Sequence, residues 1–432
     1  MAQFRKDTHE FLNNGTTLFE VGMSADENGE LWNRRYAKDA WNRPKSIVDR
    51  SVFSATWTFG IPARVWEEYQ FDGATWTPQT SFSRATSVNK MLSVVSGTTP
   101  TEGATLATKQ YSRYQPNRGH LYSTAVIMPN ASDRGIRRFG LATPDDGVFF
   151  EMVGDGVDWD IFAGRRAYGS LASYVSIKSA ILDKVPNFDP SKGHVYDIQY
   201  QWRGVGNYFF YVDLELVYVD EYLGTGTQLS MSDPALQPFY SAYTGSDGTQ
   251  VQLLAGCVDV TSEGGQDERT LFGSVSSGLD LLTLGTADTP TAVLAFKVPR
   301  TANGSFNSRG AFLDKLSAFC ASSDTITSVY AARDISATTV DAITWTAIPD
   351  SALLTASGNA AGALNTAFQT DINSFGRVFS EFTAKDTKTE IINTSKNSPF
   401  LATPGDIIVI AGTGLSSTGQ LYAATLYYSE QI

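Results

Sequence analysis

From His194 to Tyr218 the chain reads HVYDIQYQWRGVGNYFFYVDLELVY, two aromatic-rich runs around Gly204-Val205-Gly206. In the first, Tyr196, Ile198, Tyr200 and Trp202 alternate with Val195, Asp197, Gln199 and Gln201. In the second, Tyr208, Phe210, Val212, Leu214 and Leu216 fall on one side, with Asp213 and Glu215 on the other. A period of two sends successive side chains to opposite faces of a strand, so each run has one face for a core and a wetter one. A short glycine-containing link between such runs signals a hairpin. Further strands are expected at Met91–Val95, Leu121–Met128, Gly135–Leu141, Gly147–Met152, Asp158–Ala163, Ser173–Lys178 and Val251–Val260, with turn clusters such as Pro144-Asp-Asp-Gly and Gly154-Asp-Gly between them. Short strands with regular turn signals predict an all-β chain whose middle, residues 85–262, is an antiparallel β-sandwich of jelly-roll or concanavalin-like type.

The flanks read differently. Residues 1–84 form an expected N-terminal arm holding Trp32, Trp41, Trp57, Trp66 and Trp76, five of the chain's eight tryptophans, among charged residues. Trp, Tyr and Arg concentrate at interface hot spots, which makes Trp32, Arg34, Arg35, Tyr36, Trp41, Trp57 and Trp66 candidate docking residues. The alternative is an extended segment packed on its own chain. Residues 263–288 read as a linker, with a short helix within Thr270–Leu284. A second, smaller β-sandwich is expected over residues 289–432, its strands at Ala292–Val298, Ile326–Ala331, Thr339–Ile348, Val378–Phe382, Asp406–Ala411 and Leu421–Tyr428.

Composition narrows the function classes. Apolar residues make up 42% of the 432, enough for real cores, while charged residues are only 18%. A surface rich in hydroxyls and amides suits contact with other protein, because fewer charges are desolvated on docking. A net charge of −12 argues against nucleic acid, which needs a basic surface. The pairs Arg34-Arg35, Arg137-Arg138 and Arg165-Arg166 read as solvated strand ends. No window approaches the roughly 20 apolar residues that span a bilayer, and MAQFRKDTHEFLNNG lacks the apolar core of a secretory signal. Cys257, in an apolar run, reads as a core residue; a disulfide with Cys320, the other cysteine, stays open. No sequence pattern calls for a cofactor.

Asp145, Asp146, Glu151, Asp155, Asp158 and Asp160, beside Phe149, Phe150 and Trp159, form the candidate chemical cluster. Paired carboxylates next to a sugar-stacking aromatic serve glycosidases, and an oxygen-rich loop can hold calcium. Asp-Gly is equally the ordinary chemistry of turns, so turn, glycan or calcium loop, and glycosidase all stay open. The histidines His9, His120 and His194 lie far apart in sequence, and neither a nucleophile elbow nor a nucleotide-binding glycine loop is present.

Two sets of segments carry a resemblance. The opening, Phe11-Leu-Asn-Asn-Gly-Thr-Thr-Leu-Phe-Glu-Val with Ser24-Ala-Asp-Glu-Asn-Gly, resembles the start of virion structural proteins of tailed bacteriophages. Tyr111-Ser-Arg-Tyr-Gln-Pro, Arg138-Phe-Gly, Asp146-Gly-Val-Phe-Phe-Glu and Tyr200-Gln-Trp-Arg-Gly-Val-Gly resemble a domain of the same class, and Thr403-Pro-Gly-Asp-Ile-Ile-Val-Ile-Ala-Gly-Thr more loosely its closing strands. The resemblance implies a concanavalin- or laminin-G-like sandwich on a phage particle. The expectation is therefore a non-enzymatic virion component (collar, neck, head decoration or fibre) that docks with other virion proteins and with itself. It would be assembled in the host cytoplasm, with neither nucleic acid nor membrane insertion. The alternatives are a lectin-like protein that binds host surface glycan and, behind it, a polysaccharide-degrading glycosidase.

Overall fold

The computed structural model describes residues 24–25, 31–32 and 49–431, except 80, 115–117, 203, 223–227, 264–269, 278–280, 286, 303–304, 308, 322–323, 334–341, 350, 359–360, 393–399 and 416–420. The chain is all-β and antiparallel and divides into two compact units. One holds residues up to 108 with 112–266; the other holds 109–111 with 267 onward.

The first unit is a sandwich of two eight-stranded sheets. Its strands are β1 Asp49–Thr56, β2 Trp66–Phe71, β3 Trp76–Pro78, β4 Ala85–Val88, β5 Met91–Val95, β6 Gly103–Thr108, β7 His120–Ile127, β8 Gly135–Ala142, β9 Gly147–Gly154, β10 Trp159–Ala167 and β11 Ser170–Ser176. After helix α1 (Lys178–Lys184) come β12 His194–Tyr200, β13 Tyr208–Val212, β14 Glu215–Asp220, β15 Gln237–Thr244 and β16 Gln252–Glu263. The front sheet runs β11-β10-β9-β8-β15-β6-β2-β3; the back sheet runs β14-β13-β12-β7-β16-β5-β4, with β1 also paired to β16.

The two sheets bury one alternation of each strand against the other. Phe139 and Leu141 of β8, Val148, Phe150 and Met152 of β9, and Tyr196 and Ile198 of β12 belong to a single core. Phe150 meets Tyr196 and Phe210 edge-on, with both centroids 5.2 Å away. Trp57 and Trp66 belong to that core as well: 0% and 1% exposed, with rings 4.9 Å apart and both against Tyr240. They are therefore core residues and not docking residues, and the sandwich begins well inside the expected arm. Sequence proximity to Trp32 and Trp41 concealed this, because the partner strand β16 lies some 200 residues downstream. Trp32, Arg34, Arg35, Tyr36 and Trp41 have side chains outside the described residues.

The aromatic run after Tyr208 is two strands and not one. Asp213 and Leu214, at φ 46° and 75°, turn the chain between β13 and β14. Ser173–Lys178 ends in α1, an element missing from the expected order. Cys257 is exposed, because the β16 register shifts between Ala255 and Val258 and turns Cys257 outward; both cysteines are free.

In the second unit one sheet orders Thr270–Ser276, Leu421–Gln431, Ala311–Cys320 and Thr387–Ile392. The other orders Thr346–Ala347, Leu354–Ser357, Thr291–Lys297, Asp406–Gly414, Thr325–Arg333 and Gly376–Thr383. In place of the helix expected within Thr270–Leu284, the described residues form strands at Thr270–Ser276 and Leu282–Thr283. The central strands of the second sheet are buried on both faces. Val293, Leu294, Ile408 and Ile410 face the inter-sheet core, while Ala295, Ile407 and Val409 pack on the helix Ala363–Thr370 through Leu364 and Phe368. Burial on two faces explains why ThrAlaValLeuAlaPhe and IleIleValIleAla read as continuous apolar runs.

Candidate glycan-binding face

Alternation also fixes what the front sheet shows on its other side. The strand registers align one row across all eight strands: Pro78, Tyr69, Thr105, Ser241, Arg138, Glu151, Phe162 and Ser176. The next row carries Trp76, Phe71, Gly103, Tyr243, Ile136, Val153 and Asp160; the row on the other side carries Glu67, Ala107, Phe239, Gly140, Phe149, Gly164 and Tyr174. Aromatic rings thus share one outward face with a cation and carboxylates.

Two glycines let rings lie low on this face. A Cβ on Gly164 would stand 2.3 Å from Cε2 of Phe149, and a Cβ on Gly103 would stand 2.4 Å from Cδ1 of Tyr243. Each ring occupies the place a side chain would take. Trp76 meets the Tyr243 ring edge-on at 5.8 Å and lies tilted against Phe71 at 5.0 Å. Phe162 lies parallel to Tyr174 at 4.3 Å. Trp76 (44%) and Tyr174 (37%) remain exposed.

A polar fork sits between these two aromatic pairs. The Arg138 guanidinium pairs with Glu151 and lies 4.7 Å over Phe149 and 5.9 Å from Tyr243. The Tyr174 hydroxyl donates to Oε1 of Glu151 at 2.6 Å, so both carboxylate oxygens are held. Burial, and then the bond to Glu151, push the Tyr174 phenol up and keep it protonated. Burial and the neighbouring Arg138 pull the Arg166 guanidinium down. The arrangement offers flat apolar faces flanking fixed donors and an acceptor, the combination that recognises a polyhydroxylated ring.

The acidic cluster read from the sequence does not assemble. Asp145 and Asp146 lie in the β8–β9 turn, Asp155 and Asp158 in the β9–β10 turn, and β9 separates the two by about 25 Å. Asp146 is buried and accepts from the backbone amides of Tyr168 (3.3 Å), Ser232 (2.9 Å) and Asp233 (3.1 Å), tying three loops together. Asp145 is exposed, and its carbonyl accepts from Gly169. Asp155 accepts from the amides of Asp158 and Val157, both at 2.8 Å, which lowers its pKa; this is turn chemistry. Asp158 pairs with Lys178 at 2.6 Å, which lowers its pKa as well. Trp159 packs on Phe188 and under Lys178, whose Nζ is 4.4 Å from its ring. Among the described residues no group of three or more His, Cys, Asp or Glu could hold a metal ion. Of the cluster, Glu151 and Asp160 reach the front face, Asp160 held by Ser176 Oγ at 2.8 Å.

Arg34-Arg35 lies outside the described residues, and the pairs Arg137-Arg138 and Arg165-Arg166 are not solvated strand ends. Alternation sends one of each pair inward: Arg137 is 0% exposed, and Arg165 pairs with Asp220 inside the sandwich at 2.5 Å. Arg138 and Arg166 are the outward members. Arg138, Glu151, Tyr174, Phe162, Tyr243 and Trp76 were missed as a group because they come from six strands. The signal available was the alternate set to the core residues of each strand.

No family model matches the chain, and no curated protein matches its sequence. Solved structures do match over about half of it. One is an endo-1,3-β-glucanase from Streptomyces sioyaensis, at 12% identity and TM-score 0.39 over 51% of this chain and 98% of that one. Another is an endo-β-1,3-glucanase from Pyrococcus furiosus, at 12% identity and TM-score 0.38 over 50% and 96%. A third is a β-1,3-glucanase from Mycobacterium marinum, at 13% identity and TM-score 0.34 over 49% and 98%. Against these neighbours, each a glucanase, the expectation of a non-enzymatic protein does not stand. What the chain shares with them is a β-sandwich fold.

Proposed function

We propose that the outward face of the front sheet binds a glycan. The observation that supports this is the placement of Trp76 and Tyr243 in one row, Arg138, Glu151 and Phe162 in the next and Tyr174 in the third, which sets exposed rings on both sides of a fixed ion pair. Sugar rings stack on Trp76 and on the Phe162–Tyr174 pair, while Arg138, Glu151 and the Tyr174 oxygen bond to hydroxyls. Affinity electrophoresis against a panel of soluble polysaccharides tests it. At least one polysaccharide should retard the protein, and Trp76→Ala and Tyr174→Ala should each weaken that retardation about tenfold. Equal retardation of both variants would overturn the reading.

A second reading is favoured by one observation. Glu151 and Asp160 are diagonal neighbours on adjacent strands of the same face. Two carboxylates flanking a bound sugar are the minimum for glycoside hydrolysis, one serving as acid and the other as base or nucleophile. Release of reducing sugar from the bound polysaccharide, lost in Glu151→Gln and in Asp160→Asn, is the expected result for hydrolysis. On a virion, such a face would contact host polysaccharide while other virion proteins or further copies of the chain dock elsewhere. Immunogold labelling of virions tests that placement, and unlabelled particles would remove it.

A further inference from the structure

The tip of the β10–β11 hairpin carries a tyrosine where the backbone favours a smaller residue. Tyr168 and Gly169 both have positive φ, 53° and 75°, in the two-residue turn between Ala167 and Ser170. Asn, Asp and Gly suit the first of these positions, because a larger side chain there crowds the backbone. The Tyr168 ring is 44% exposed, so burial offsets little of that cost. Its position is nevertheless fixed. The Tyr168 amide donates to the buried carboxylate of Asp146 at 3.3 Å, and the Tyr168 hydroxyl accepts from the Leu229 amide at 3.1 Å. Leu229, itself exposed, lies over Gly204, where a Cβ would stand 2.8 Å from its Cδ2.

Two accessible polar side chains with spare hydrogen-bonding capacity adjoin this turn. Asp145 is exposed, its Oδ1 is 3.7 Å from the Cβ position of Gly169, and its carboxylate accepts no hydrogen bond and forms no ion pair among the described residues. Arg166 stands partly exposed on the front face, four residues along β10 from Phe162. Among the described residues its guanidinium bonds only through Nη1, to the Pro144 carbonyl at 3.3 Å. An anion placed here would face Asp145 unfavourably, and a cation would face Arg166. A neutral polyol satisfies both: its hydroxyls donate to the carboxylate and accept from the guanidinium, while its apolar face lies on the ring. Phe162 and Arg166 are about 13 Å apart along an extended strand, within reach of one oligosaccharide.

We infer that Tyr168, Asp145 and Arg166 form an outlying sugar subsite, which takes the front-face glycan where it runs on past the Phe162–Tyr174 pair. This subsite rests on the glycan-binding reading of the front face and makes affinity depend on the length of the ligand. The test is calorimetric titration of the full chain with size-graded fragments of a polysaccharide that retards it. Affinity should step up about fivefold at the fragment length that reaches Tyr168. Tyr168→Asn, which suits a positive φ, and Asp145→Ala, at an exposed turn position, should each erase that step. Both should leave the shorter fragments binding as they do to the parent. A parent without the step would overturn the inference, as would a step kept in both variants or an equal loss on short and long fragments. In each of those cases a weakened Trp76→Ala leaves the front-face reading standing. Failure of every polysaccharide to retard the parent removes that reading and the subsite together.

Discussion

At the scale of single residues, buried groups without partners govern the response to conditions. His120 opens β7 beneath the rings of Tyr114 and Tyr200, at 5.3 and 5.6 Å, and neither of its ring nitrogens has a hydrogen-bond partner. Burial lowers its pKa from 6.5 to about 4. A depressed histidine binds its proton in the unfolded chain before it does so in the folded one. Its contribution to stability is complete above pH 6.5 and is lost as pH falls from 6.5 towards 4, by roughly 3 kcal/mol. Urea unfolding across that window should show a steep loss of stability in the parent and a flatter one in His120→Gln. Parallel slopes would mean the imidazole is not the group responsible. The pair Arg165–Asp220 behaves differently, since each of its charges is compensated: Arg165 also donates to Ser230 O at 2.6 Å.

At the scale of elements, the sandwich was legible because its strands are amphipathic at a period of two. The β8 to β10 strands, β12 and β16 all fall where the alternation put them. Turn chemistry was less legible. The β13–β14 turn uses Asp213-Leu214 with both residues at positive φ, a geometry that normally selects Asn-Gly or Asp-Gly. A leucine there continued the apolar pattern and hid the break. Leu214 is 48% exposed, so its side chain repays little of the strain. Leu214→Gly should raise stability by roughly 0.5–1 kcal/mol, read as a higher urea midpoint; a lower midpoint would show that Leu214 packs more than it strains. The candidate face was illegible for a related reason. Its members are spread from Trp76 to Tyr243, and only the strand order places Arg138 between Ser241 and Glu151. The aspartates near Asp145–Asp160 looked clustered because the two ends of β9 are close in sequence, while the extended strand holds them apart in space.

At the scale of the whole molecule, two units with separate hydrophobic cores imply that unfolding is not a single two-state event. Phe368 is 1% exposed, on the helix covering the second unit's doubly buried sheet, and meets Tyr330 and Phe375 at 5.1 Å. Phe368→Ala should cost about 3–5 kcal/mol. Calorimetry should show one transition shifted down and the other in place, with polysaccharide retardation unchanged; a uniform shift of the whole trace would mean the units unfold together. The two cysteines divide along the same line. Cys257 stands at the surface on the β16 bulge, whereas Cys320 is 0% exposed, its sulfur 2.9 Å from Thr325 Oγ1. An alkylating reagent therefore meets one sulfur in the native protein and reaches the other only when the second core opens. The delay between the first adduct and the second is a built-in clock for that opening, readable by mass alone.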